Sequence, residues 1–190
     1  MGMGANTILT QMACEVLGCP MESMTVVESD TDIVPFDPGS YASSTTYVTG
    51  TAAKMAAEEL RAKIINKLAQ FMDVSPEEID FDGLVGMTKD GTKKMSVQEL
   101  APKLLVGTTS EQLNGFATWG SHISPPPFMA SIAEVKVDKQ TGQIIPLHMY
   151  NCVDCGTVVN PKLARVQVEG GAVQAIGMAL YEDVRYSSNG

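Results

Sequence analysis

Apolar residues recur along this chain at two periods, and the switches between them mark out most of its elements. From residue 5 to residue 17, Ile8, Leu9, Met12, Ala13, Val16 and Leu17 keep the spacing of one helix face. Gly18 and Pro20 end that helix, the first by accepting a left-handed conformation and the second by refusing to continue. Met24–Glu28 has the makings of a short strand. Ser29 to Ser44 is rich in Asp, Pro, Gly and Ser, has no period, and reads as a loop long enough to be functional. A long helix is expected from Thr46 to Phe71, with Ala52, Ala53, Ala56, Ala57, Leu60, Ile64, Leu68 and Phe71 on its buried face. Its first turns carry small residues, Gly50 among them, which implies that another backbone approaches closely there.

Ser75-Pro76-Glu77-Glu78 and Ser96-Val97-Gln98-Glu99 are capping-box patterns, the second opening a helix to Leu105. Asp80–Met87 and Lys93–Met95 read as strands around the turn Lys89-Asp90-Gly91. Further strands are expected at Phe116–His122 and Met129–Asp138. In the latter, Glu134, Lys136 and Asp138 alternate with Val135 and Val137, the period of a half-buried strand. Thr141-Gly142 turns the chain into Gln143–Asn151. Asn160-Pro161 starts a last helix, to about Met178, whose glycines 170, 171 and 177 permit close packing. Helices and antiparallel hairpins in mixed order give an α+β fold, antiparallel or mixed sheets with packed helices. Residues 1–190 read as one region with sub-lobes at 1–110 and 111–190.

Composition narrows the function classes. With 44% hydrophobic and 18% charged residues the chain is globular. A net charge of −9 argues against nucleic-acid partners and against adhesion to an anionic membrane. No apolar run approaches the ~20 residues of a span, and the N-terminus lacks a secretory pattern. The cysteines are Cys14, Cys19, Cys152 and Cys155. Cys14 fits a buried free thiol. The Cys152–Cys155 pair ends a strand instead of opening a helix, which favours structural thiols over redox or metal use and points to a reducing, cytoplasmic setting. His122 and His148 have no ligand spacing and read as strand residues. Asp30 and Asp32 read as turn formers, and methionines 55, 72, 87, 95, 149 and 178 as core fillers.

Three loop-to-helix junctions remain as candidate chemistry: Met1-Gly2-Met3-Gly4, Gly39 to Thr45, and Gly156 to Pro161. Each offers glycine-permitted backbone approach and unpaired N–H groups at a positive helix end, suited to an anionic or phosphate-bearing ligand. Taken singly, each is also an ordinary cap or turn. Their content in order carries more. Gly2-Met3-Gly4, Gln11, Asp30-Thr31-Asp32, Pro35, Gly39-Ser40-Tyr41-Ala42-Ser43 and Gly50 resemble the molybdopterin-binding region of the xanthine dehydrogenase/aldehyde oxidase family. Asp154-Cys155-Gly156, Asn160-Pro161 and Gln167-Val168-Glu169-Gly170 continue the resemblance, which covers nearly the whole chain.

The resemblance implies a piece of a large subunit that grips a molybdenum cofactor through its pterin and phosphate, the metal itself taking no ordinary protein ligand. The pterin would be in plain or cytosine dinucleotide form. Gly2, Met3 and Gly4 would face the cofactor near the metal. Ala42, Ser43, Ser44 and Thr45 would supply backbone and hydroxyl contacts, and Gln167 an amide to the pterin. Met3 stands where many relatives carry Gln, and Ser44 where a number carry Arg. The general-base Glu of the family lies beyond the stretch equivalent to Gln167, so no catalytic residue is assigned and the piece alone is expected to be inactive. The parent would oxidise a heterocycle, aldehyde or aromatic acyl-CoA with water as oxygen source, passing electrons to iron–sulfur and FAD partners. Alternatives are a non-catalytic structural or assembly module of the same fold and a phosphate- or nucleotide-binding domain. A piece without its surroundings is expected to self-associate.

Overall fold

The computed structural model of the protein describes residues 2–28, 30–106, 110–123 and 125–190. Met1 and Ser29, the starts of one expected junction and of the expected loop, lie outside them. The chain forms two compact units, Gly2–Ser124 and Pro125–Gly190, so the division falls later than residue 110.

In the first unit, α1 (Ala5–Leu17) and α2 (Thr45–Met72) stand where the apolar period places them. The two pack together, and Gly50 explains how: a Cβ there would lie 2.6 Å from the Met12 sulfur. Gly50 thus admits a side chain of α1, and the small residues that follow it admit a backbone at Ala56, against Gly115. Further along, Arg61 Nη1 donates to the Leu17 carbonyl at 2.9 Å. Contacts that advance together along both chains mean that the helices run in the same direction.

The C-terminal half of α2 covers a small sheet. Strands β1 (Ile79–Phe81), β2 (Val85–Thr88) and β3 (Lys94–Ser96) pair antiparallel in that order. The expected strand Asp80–Met87 is therefore two, broken where Asp82 Oδ1 accepts the N–H groups of Leu84 and Val85. Gly83 makes the break possible with φ +99. Helix α3 (Val97–Leu105) starts on the expected box: Ser96 Oγ accepts from Glu99 N at 3.2 Å and the Glu99 carboxylate accepts from Ser96 N at 2.8 Å. Leu68, Ala69, Met72, Ile79, Phe81 and Leu100 form the core of this unit. Phe71 is not in it. It stands 41% exposed beside Lys103, because Ala69 and Met72 take the inward positions.

Two expected strands do not form. Met24–Glu28 has no strand partner, and Glu28 instead accepts from the Asn6 side chain in the first turn of α1. Phe116–His122 belongs to a strap that lies along α2 in the opposite direction. Glu111 pairs with Lys67 at 2.5 Å, Lys63 Nζ donates to Asn114 O at 2.9 Å, and Phe116 N donates to Glu59 Oε2 at 2.9 Å. Gly115 is needed here, since a Cβ would fall 2.0 Å from the Ala56 carbonyl oxygen. The strap closes with Trp119 edge-on to Tyr47, ring centroids 5.0 Å apart. Period-2 burial persists along it, with Leu113, Gly115, Ala117, Trp119 and Ser121 half-buried and their neighbours exposed. The backbone is extended as the pattern implied, but its partner is a helix. His122 accordingly lies on no strand.

The second unit is a hairpin, β4 (Phe128–Val137) and β5 (Ile144–Asp154), followed by α4 (Pro161–Leu180). Helix α4 has Asn160 as its N-cap, the side chain accepting from Leu163 N at 3.0 Å, and Pro161 as its first residue. Strand β4 is exposed on both faces. Alternation at 134–138 therefore does not mark a half-buried strand here, because a two-stranded ribbon touched by one helix leaves a face of each kind to solvent. Met55, Met87 and Met178 are likewise exposed and fill no core. Helices and antiparallel sheets together make the fold α+β.

Candidate functional site

Two of the three candidate junctions share one end of the first unit. Since α1 and α2 run in the same direction, their N-termini lie side by side. Met12 is eight residues past Gly4 and Gly50 six past Ser44, so at about 1.5 Å per residue the two starts are level to within one turn.

Each start is built to leave its amides open. Gly4 caps α1 in the left-handed region, at φ +84 and ψ 21, and has no side chain to offer. Gly2, at φ +81, has nothing within 4 Å of its missing Cβ, and Met3 between them is half-buried. Ser44 caps α2 without a side-chain hydrogen bond to the first turn. Its hydroxyl instead donates backwards to the Tyr41 carbonyl at 3.0 Å. Of the hydroxyls assigned to the site, that of Ser44 thus has its proton committed, while Ser43 is exposed and Thr45 half-buried. Neither helix has an acidic residue in its first turn. The orphan N–H groups of two helices, each with a positive end, therefore converge with no side-chain cap competing for them.

The turn into α2 carries backbone strain. Ala42 and Ser43 both have positive φ, at 54 and 55, a region that costs about 1–2 kcal/mol for residues with a Cβ. Two such residues in succession swing the chain sharply into the helix. Strain of this kind is a pointer to function when the surroundings hold it in place. Asp30 and Asp37 serve the loop before it: Asp30 Oδ1 accepts from Asp32 N at 3.0 Å and Asp37 Oδ1 from Gly39 N at 2.7 Å. Asp30 is thus a turn former, as read from the sequence. Among the described residues no group of three His, Cys, Asp or Glu side chains is placed to hold a metal ion. The Tyr47–Trp119 pair stands one turn into α2, beside the same end, and was not anticipated. The signal was there in the alternating small and apolar residues from Leu113 to Trp119.

The third junction differs. Helix α4 spends its Asn160 side chain on its own first turn, so this start is already capped. Gln167 lies exposed on the same helix, in the second unit. Gly170 and Gly171 beyond it are open, with nothing within 4 Å of where a Cβ would stand, and Glu169 pairs with Arg165 at 2.7 Å.

As a donor set, the paired helix starts fit a phosphate ester through backbone N–H groups and hydroxyls; neither first turn contains an acidic residue of its own, and the Glu28 carboxylate lies against α1 on the Asn6 side chain. A primary amide such as Gln167 fits the donor–acceptor edge of a pterin.

Comparison with known proteins agrees with that chemistry. A family model described as a molybdopterin cofactor-binding domain matches residues 1–190. The chain is 38% identical over 192 residues to the probable hypoxanthine oxidase XdhD of Escherichia coli K12, covering all of this chain and 20% of that protein. It is 32% identical over 187 residues to the xanthine dehydrogenase molybdenum-binding subunit of E. coli O157:H7, covering 96% of this chain and 25% of that one. The solved structure of quinoline 2-oxidoreductase from Pseudomonas putida 86 superposes with a TM-score of 0.80 at 25% identity, over 98% of this chain and 25% of that one. The chain therefore spans a fifth to a quarter of the length of these relatives.

Proposed function

The chain belongs to the molybdopterin cofactor-binding domain family, and from that premise we propose that the paired starts of α1 and α2 hold the phosphate arm of the cofactor. The convergence of two uncapped helix N-termini carries this reading. Backbone N–H groups at both starts and the hydroxyls of Ser43 and Thr45 are the donors, and Ser44 joins them when its hydroxyl turns from the Tyr41 carbonyl to the phosphate. Ala42 sets the turn that presents them. Gly2, Met3 and Gly4 line the approach, with Met3 contributing backbone and packing only, since a thioether donates no hydrogen bond. Gln167 offers its amide to the pterin. When bound, the cofactor supplies a redox-active molybdenum centre.

The parent polypeptide is an oxidoreductase acting on a small molecule with water as oxygen source. A nitrogen heterocycle is favoured over an aldehyde or acyl-CoA, because hypoxanthine, xanthine and quinoline stand in the names of three relatives, while carbon monoxide stands in those of others. Electrons leave through iron–sulfur and FAD partners, and the cofactor carries a cytosine dinucleotide on its phosphate. This chain is the binding portion. Glu169 is exposed on α4 beside Arg165 and is not assigned as the base, and turnover needs the rest of such a subunit.

Ser44→Asp in the parent separates binding from folding. An acid at the N-cap stabilises α2 by about 0.5–1 kcal/mol, yet it places negative charge where the phosphate sits. Melting temperature of the cofactor-free protein should hold or rise while molybdenum and released pterin fall several-fold. Unchanged cofactor content in that variant refutes the phosphate contact, and unchanged content in Gln167→Ala refutes the pterin contact. Wild-type parent from a cofactor-producing host should carry near-stoichiometric molybdenum and pterin and release cytidine monophosphate on hydrolysis. Absence of both, with stabilisation by free nucleotides, would make this a nucleotide-binding module instead.

A further inference from the structure

The opposite end of α1 holds an arrangement that cofactor binding does not use. The helix closes with Gly18 in the left-handed region, at φ +82, its N–H donating to the Cys14 carbonyl at 2.7 Å. In a helix end of this form the side chain of the residue whose carbonyl accepts and that of the residue after the glycine fold onto each other, a contact that is ordinarily apolar. Here both are cysteines. Cys14 and Cys19 interact side chain to side chain, and both are free thiols. They line one side of an open cleft of about 480 Å³ together with Gln11, Glu15, Gly18 and Met21. Cys14 is 6% exposed and Cys19 half-buried, so solvent reaches the pair through Cys19. Burial, and then the Cys19 thiol beside it, push the Cys14 thiol up to about 11, so Cys14 is not the thiolate that opens an exchange. The backbone around the pair is fixed: a Cβ on Gly83 would lie 2.2 Å from the Gly18 carbonyl carbon, and Arg61 holds both the Leu17 and the Phe81 carbonyls.

We propose that Cys14 and Cys19 are a thiol pair that closes into an intrachain disulfide by exchange with a small disulfide such as oxidised glutathione. The Cys19 thiolate attacks one sulfur of the small disulfide. One S–S bond breaks, a mixed disulfide forms on Cys19, and one small thiolate leaves and takes up a proton. Cys14 then gives up its proton and attacks the Cys19 sulfur, expelling the second small thiol. Two protein thiols are oxidised, one small disulfide is reduced to two thiols, and no other reactant is needed. The capping contact supplies the proximity that makes the second step intramolecular.

The test uses the full chain with Cys152→Ser and Cys155→Ser, which removes the two exposed thiols on and after β5. After native incubation with oxidised glutathione and acid quenching, alkylatable thiols should fall from two to none, with loss of two hydrogens and no retained glutathione. Dithiothreitol should restore both. Adding Cys14→Ser should leave glutathione trapped on Cys19. A stable adduct on Cys19 with Cys14 still alkylatable, a disulfide between two chains, or two unreacted thiols would each overturn the proposal.

Discussion

At Gly83 a methyl group would meet the backbone of Gly18, and at Gly18 it would lie 2.7 Å from the Asp82 carbonyl oxygen. Both glycines also hold positive φ, so a side chain meets conformational and steric cost together. Gly91 has the same backbone form, at φ +73, with open space around it. Gly83→Ala should therefore destabilise by about 3 kcal/mol or more, and Gly91→Ala by about 1 kcal/mol. Equal losses in urea unfolding of the two variants would remove the packing argument. Gly18 was legible as a helix end, but its close contact was not, because sequence carries no record of which turn will face it. Ala42 and Ser43 were harder still. No residue type announces positive φ there, and the strain exists because the surroundings impose it.

Helix α2 shows how far an element can be read. Its span follows from the apolar period to within a residue at either end, yet the last inward position does not. The 3.6-residue repeat allowed Phe71, and packing chose Met72 and Ala69. The wholly buried Leu68 fills the hollow that Gly86 leaves, where a Cβ would lie 2.6 Å from its Cδ1. Leu68→Ala should thus cost about 3–4 kcal/mol and Phe71→Ala, although the larger side chain, about 1 kcal/mol or less. The reverse order in chemical denaturation would place Phe71 in the core after all. Caps were the most readable feature: Ser96-Glu99 and Asn160-Pro161 fix their partners within one turn of chain, so nothing distant can override them. Met24–Glu28 and Phe116–His122 failed as strands for the opposite reason. Strand composition says that a segment is extended, and its partner is decided elsewhere in the chain.

Across the whole molecule, the family was legible because its glycines, Asn160 and Gln167 fall in order over the full length. The candidate site was legible in part. The junctions were visible, but the common direction of α1 and α2, which brings two of them to the same end of the unit, was not. The second unit leaves large apolar side chains open to solvent, Phe128 at 72%, Ile132 at 70% and Val173 at 69%. The purified chain should accordingly self-associate, with light scattering rising with concentration. Ile132→Lys should lower that association, and a monomer at every concentration would contradict it. Among the described residues no helix is long and apolar enough to cross a membrane. The strap along α2 has a consequence in time. Its ties join residues 51 and 57 positions apart, whereas β1–β2–β3 and α3 form from neighbours. Long closures are slow to nucleate, so the strap docks last and opens first, and the Phe116 amide should exchange with solvent sooner than those of β2. The wall that Trp119 and Tyr47 build beside the helix starts is then the final piece of the unit to set.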